Sequence, residues 1–123
     1  MRGQISLEYL IIALIAIALV SLSLSVLMKI RENADRDYAL IRVKSASEDI
    51  FNAIDALCAL GNGNSRKVAL PLPLEFYSEA KVVTAGNSDS SFSHKSNCEL
   101  SLSGRFENEL VLENSEGIII RKP

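Results

Sequence analysis

Few side chains in this sequence are placed to do chemistry. Glu8 stands at the mouth of an uncharged run: the 20 residues 9–28 carry no formal charge and are mostly Leu, Ile, Ala and Val. Near a membrane interface such a carboxylate costs far less than the roughly 3 kcal/mol scale of a charge at mid-bilayer. Packed among apolar helices it would be costly unless paired or protonated. Cys58 and Cys98 are the two cysteines. On an extracellular domain an even count invites a disulfide, worth about 4 kcal/mol for this separation in the chain-entropy model; the alternative is two buried free thiols. Two Cys and one distant His do not supply a four-ligand metal site. His94, the single histidine, lies in a polar stretch and is expected to be solvated. No Ser has a catalytic signature around it, and there is no phosphate-binding Gly-rich loop, zinc-protease motif or carboxylate pair in an evident pocket. Neither an enzyme nor a cofactor is expected.

The elements that must position these groups begin with the uncharged run. At 1.5 Å per residue, about 20 helical residues cover a hydrocarbon layer of roughly 30 Å. Three readings follow. A removable secretory signal usually has an apolar region of roughly 7–15 residues and a small-residue cleavage site; this run is longer, and Ser21, Ser23 and Ser25 offer a poor site. A plain membrane anchor satisfies the length. A prepilin-type leader, cut ahead of the apolar segment, leaves the helix on the mature chain.

The residues favour the third reading. Arg2-Gly3, then Gln4-x-Ser6-x-Glu8-x-x-x-Ile12, resembles the processing motif of archaeal type IV pilin-like proteins with a class III signal peptide. That family has Leu where this chain has Ile12, a swap that keeps an apolar side chain. The resemblance covers about 30 residues of the 123, and the rest matches in layout only. It implies that a membrane prepilin peptidase cuts between Gly3 and Gln4, so that Glu8 becomes the fifth residue of the mature chain. It further implies an assembly ATPase with a membrane platform, and a homo-oligomeric helical filament as the product. Gln4, Ser6 and Glu8 are then the assembly residues. In a filament core, the new α-amino group at Gln4 of a neighbouring subunit is a natural partner for Glu8. Such a pair would set axial register as a polar residue does in a coiled coil.

Charge bounds the partners. The chain carries 13 Lys plus Arg against 15 Asp plus Glu, with both signs interspersed and no Trp. No basic face advertises nucleic acid. Lys29 and Arg31 follow the uncharged run, which by the positive-inside rule opposes a cytoplasmic N-terminus; the leader motif and the cysteines ask for that orientation nonetheless. No Asn-x-Ser/Thr sequon occurs, and abundant Ser suits a polar, potentially O-glycosylated surface.

Beyond the run, Ile30, Ala34, Tyr38, Ile41, Val43, Ala46, Ile50, Ile54 and Leu57 recur at steps of mostly three or four, the mark of an amphipathic helix. Neither Pro nor Gly interrupts residues 4–60, so one helix of about 85 Å is expected, stopping at Gly61-Asn62-Gly63-Asn64. Strands are expected at 66–70, 74–77, 80–84, 98–103, 109–113 and 117–121, as an antiparallel meander of sequential hairpins with one face on the helix around 43–57. Residues 87–97, rich in Ser, Asn and Asp, read as a loop. The fold class is α+β: a long N-terminal α-helix, hydrophobic then amphipathic, with a small antiparallel β-sheet head. The divisions are a leader (1–3), a transmembrane or filament-core helix (4–28), its amphipathic continuation (29–60) and an extracellular head (61–123). The expected function is a pilin or pilin-like structural subunit: a membrane precursor first, then part of a surface filament whose loops could serve adhesion. Its rivals are a single-pass anchored extracellular binding domain that does not polymerise, and a minor pilin that primes or caps filaments.

Overall fold

The computed structural model describes residues 2–123, with side chains from Gly3 onward; the expected leader residue Met1 lies outside the described residues. One α-helix, α1, spans Arg2–Leu60. It is continuous because strong helix formers dominate and Pro and Gly are absent from 4 to 60. It stops where Gly61 takes a positive φ of 81°, a conformation that glycine adopts without the Cβ penalty. Side-chain amides then satisfy the last carbonyls: Asn64 Nδ2 donates to Leu60 O at 3.1 Å, and Asn114 Nδ2 to Leu57 O at 3.0 Å. No basic residue lies in the last turn, so these amides take the place of the usual cationic complement to the helix C-terminus.

The residues fall into two compact units, one ending at Tyr38 and the other spanning Ala39–Pro123. The second unit takes in the last turns of α1 as well as the expected head. The reason is burial: Val43, Ala46, Ile50, Phe51, Ala53, Ile54 and Leu57 are all inside its core. Their spacing places them on one helical stripe, and each large aliphatic among them contributes about 1.5–3 kcal/mol by leaving water.

Eight strands complete that unit: β1 (Ser65–Ala69), β2 (Leu74–Glu79), β3 (Val82–Gly86), β4 (Ser91–Lys95), β5 (Leu100–Ser101), β6 (Ser103–Phe106), β7 (Glu109–Asn114) and β8 (Ile118–Arg121). They form two four-stranded sheets, ordered β1-β7-β8-β5 and β4-β3-β2-β6. Alternate residues of both sheets, among them Leu74, Phe76, Val83, Ala85, Leu110, Leu112 and Ile118, join the helix stripe in one hydrophobic cluster. The period-2 burial of β7 is the clearest instance: Leu110, Leu112 and Asn114 are buried while Glu109, Val111 and Glu113 are half-buried.

The topology departs from a simple meander. Sequential hairpins do join β2 to β3, β3 to β4 and β7 to β8. However, β1 pairs with β7, β2 with β6, and β5 lies parallel to β8. Pro71 and Pro73 lack the N–H that a ladder needs, and the chain changes sheets between β1 and β2 at that point. The run expected at 98–103 is likewise divided. Cys98 precedes β5 rather than opening it, and Leu102 separates β5 from β6. There Ser78 Oγ accepts from Leu102 N at 2.7 Å and lies 3.2 Å from the Leu100 and Leu102 carbonyls. One hydroxyl on β2 thus replaces ladder partners at the step between the two sheets.

Residues 87–97 are not all loop. Asn87–Ser90 form the turn, and Ser91–Lys95 form β4, paired with β3 from Gly86↔Ser91 to Val82↔Lys95. The alternation was present in the sequence, with Phe92 and His94 half-buried between exposed Ser91, Ser93 and Lys95. Polar composition masked it.

Candidate functional site

In the first unit Gly3, Gln4, Ser6 and Glu8 lie in the opening turns of α1, all exposed. A Cβ built at Gly3 meets nothing within 4 Å, so the fold itself does not require glycine there. Glu8 has no hydrogen bond or ion pair among the described residues. The run that follows is bare: Tyr9, the Leu, Ile and Val residues and Met28 are between 47% and 73% exposed. This stretch is long and apolar enough to cross a membrane.

The serine hydroxyls inside the run are satisfied internally. Ser21, Ser23 and Ser25 each donate their hydroxyl to the carbonyl four residues earlier, at 2.9, 2.8 and 2.9 Å. None of these three serine hydroxyls is left as a free donor to oppose an apolar environment. Beyond residue 28 the exposed ion pairs Arg31–Asp35 and Glu32–Arg36, both four residues apart, give this part of the helix a water-compatible surface.

In the second unit a cluster binds the end of α1 to the segment around β4. Cys58 and Cys98 form a disulfide, with Cα atoms 5.8 Å apart, inside the range that suits such a bond. Ser96, buried between them in sequence space, has its Oγ 3.2 Å from Cys58 Sγ and accepts from Cys98 N at 3.3 Å. His94 is not simply solvated as expected. Its Nε2 lies 2.9 Å from Asp55 Oδ2, and its ring stacks on Phe51 with centroids 5.1 Å apart and planes 16° apart. Strand geometry explains the difference: in β4 His94 lies on the half-buried face with Phe92, while Phe51 and Asp55 share one face of α1 at a spacing of four. The two periodicities bring His94 against Phe51 and Asp55, and the bend that follows β4 carries Ser96 and Cys98 to Cys58. That matched spacing was the sequence signal that could have found the pair; reading the segment as a loop removed the alternation from view.

No group of three or more His, Cys, Asp or Glu among the described residues could hold a metal ion. The arrangement is thus one of fastening: a cross-link, a polar clasp and capped helix carbonyls in one unit, and an apolar helical surface in the other. It defines an α+β protein with an apolar N-terminal helix of membrane-spanning length. Compared with known proteins, the chain matches no family model, no curated protein and no solved structure.

Proposed function

We propose that the chain is a pilin-like structural subunit of an archaeal type IV-like surface filament. The observation that carries this reading is the Gln4-x-Ser6-x-Glu8 string directly ahead of an uncharged, exposed helical run. Thirteen Leu, Ile, Val and Met side chains fall within residues 9–28. At about 1.5–3 kcal/mol per buried aliphatic, and allowing for their partial exposure, leaving them in water costs on the order of 20 kcal/mol. That exceeds the roughly 5–15 kcal/mol that holds an ordinary domain together, so the segment needs an apolar environment. Lipid supplies it for the precursor, and neighbouring copies of the helix supply it in a polymer.

In this reading a prepilin peptidase cuts between Gly3 and Gln4. The glycine that the fold does not need is the residue that the cut needs. An assembly ATPase and its membrane platform then move the helix from lipid into a bundle. Lipid tails are as apolar as leucine, so the exchange is driven by close packing rather than by dehydration. Glu8 pairs with the α-amino group of a neighbour's Gln4 and sets the axial register. The unit Ala39–Pro123 is then carried outside the cell, where the disulfide is stable.

N-terminal sequencing of the membrane-associated and filament-associated protein tests the cut. A start at Gln4 supports the proposal, whereas an intact Met1 supports a single-pass anchored binding domain, which the length of the apolar run also permits. Glu8→Gln tests the register: filaments with an altered subunit rise, or none at all, are expected. Filaments identical to those of the parent would refute the pairing.

A further inference from the structure

The exposed face of the sheet β4-β3-β2-β6 holds a feature that neither the apolar helix nor the fastening cluster uses. Across its centre, the strand register sets Ser93 beside Thr84, Thr84 beside Tyr77, and Tyr77 beside Ser103. Tyr77 is 63% exposed, while Phe51, Phe76 and Phe106 of the same unit are buried. An aromatic ring left in water among hydroxyls has no part in this unit's core. Next to it lies a depression of about 230 Å³ lined by Glu75, Tyr77, Thr84, Asn87 and Ser91 among others. A second depression, of about 280 Å³, shares Glu75 and Asn87 and continues past Pro73 to Arg105. Each is smaller than the roughly 300–1,000 Å³ of sites that take drug-sized ligands. Two small hollows meeting at a shared pair of polar residues suit two small rings joined end to end.

We infer that this groove binds a neutral saccharide, one pyranose ring stacking on Tyr77 and a linked ring lying towards Pro73 and Arg105. The chemistry of the lining carries the choice. A sugar presents C–H groups on one face and hydroxyls around its edge, so it needs an aromatic surface ringed by mixed donors and acceptors. Glu75 supplies an acceptor, Ser91 supplies a hydroxyl, and Thr84 supplies one that is already paired with Ser93 Oγ at 3.0 Å. Asn87 uses its Oδ1 in the turn, accepting from Asp89 N at 3.1 Å and Ser90 N at 3.0 Å. That leaves its Nδ2 as a donor towards the groove. An anionic ligand is disfavoured, since Glu75 and Glu79 share the face of β2 with Tyr77. The nearby cation, Arg105, is drawn on by Glu75 at 3.7 Å and Glu107 at 3.6 Å. A lipid chain or apolar peptide side chain would meet carbon at Tyr77 and Pro73 but would desolvate the Glu75 carboxylate, the Asn87 amide and the Ser91 hydroxyl without replacing their hydrogen bonds. The inference does not depend on whether the chain polymerises.

The test uses the full chain, isotope-labelled, in phosphocholine micelles, which avoids sugar-headed detergents. Glucose, galactose, mannose, maltose and cellobiose are titrated while amide shifts are followed. Saturable shifts at Tyr77, Thr84, Gly86 and Asn87 are expected, with a Kd on the order of 1–10 mM for so open a site. A disaccharide should bind more tightly than its monosaccharide. Tyr77→Phe should retain binding, and Tyr77→Ala should weaken it about two- to tenfold by removing the stacking surface. Because Tyr77 is exposed, an unchanged spectral dispersion verifies that the variant is folded. The inference is overturned by either of two results: no saturable shift with any of the five sugars, or undiminished binding by Tyr77→Ala.

Discussion

Replacing both cysteines by serine removes the one covalent tie in the unit Ala39–Pro123, and its effect can be worked out in advance. The link closes a sequence separation of 40 residues. In the chain-entropy model a loop of that length restricts the unfolded chain by about 4 kcal/mol at 25 °C. For a unit of this size each kcal/mol moves the midpoint by about 4–8 °C, so the double variant Cys58→Ser/Cys98→Ser should melt about 15–30 °C below the parent. Scanning calorimetry of the full chain in micelles is the suitable assay, because the far-ultraviolet signal of α1 would obscure the loss of the sheets. Two of the fastenings beside the link, Ser96 Oγ to Cys98 N and His94 to Asp55, do not need the sulfurs and should keep the variant folded at low temperature. Peptide mapping under non-reducing conditions must first find the Cys58–Cys98 pair in the parent. A shift below about 5 °C would refute the reasoning, since it would mean that the unfolded chain is already as restricted without the bond.

Three further outcomes follow from the same unit. Asn114→Ala takes the side-chain donor from Leu57 O inside the core, where Asn114 is 4% exposed, and leaves that carbonyl with Gly61 N at 3.2 Å; the loss of one hydrogen bond, about 0.5–1.5 kcal/mol, is expected in denaturant unfolding. Gly86→Ala places a Cβ 2.3 Å from Ser90 O and 2.5 Å from Ser91 Cα. Those are backbone atoms that cannot swing aside, so the β3–β4 turn should distort and stability fall by about 1–3 kcal/mol, while Gly3→Ala, with open space around it, should leave thermal stability unchanged. His94→Ala removes a clasp whose partners are a third to a half exposed. Solvent screening limits the contact to about 0.2–1 kcal/mol, and hydrogen exchange should show the loss locally, as faster exchange along β4.

The parts of the fold that could be read directly from the sequence were those set by one dominant local signal. The helix over 4–60 was legible because no residue in it opposes helix and because Gly61 stops it. The stripe Val43, Ala46, Ile50, Ile54 and Leu57 was legible because its spacing states which face is buried. Strand pairing was another matter. The partnership of β1 with β7 and the parallel contact of β5 with β8 depend on which surfaces meet across the core, and period-2 alternation is silent about partners. The strand β4 was missed because Ser, Asn and Asp weigh towards turns, although Phe92 and His94 already alternated. His94 was misjudged for the same reason, since its partners Asp55 and Phe51 are some forty residues away in sequence. At the N-terminus the position is reversed. Gln4, Ser6 and Glu8 stand out as a pattern, yet no contact among the described residues explains it.

That contrast has a physical consequence. The unit Ala39–Pro123 contains its own core, cross-link and caps, so its stability is settled within the chain. The segment of α1 in the other unit has its Ser21, Ser23 and Ser25 hydroxyls bonded internally but no core packed over its apolar side chains among the described residues, so its apolar surroundings must come from outside. A protein divided in this way can exchange one apolar environment for another while its second unit stays folded, because the exchange draws on none of the contacts that hold that unit together. The requirement is strict on one side only: the environment must be apolar along residues 9–28 and must meet one carboxylate at Glu8. Lipid meets the first demand along its whole depth and the second only at its surface. A bundle of like helices meets both if the carboxylate of one copy reaches the amino group of the next.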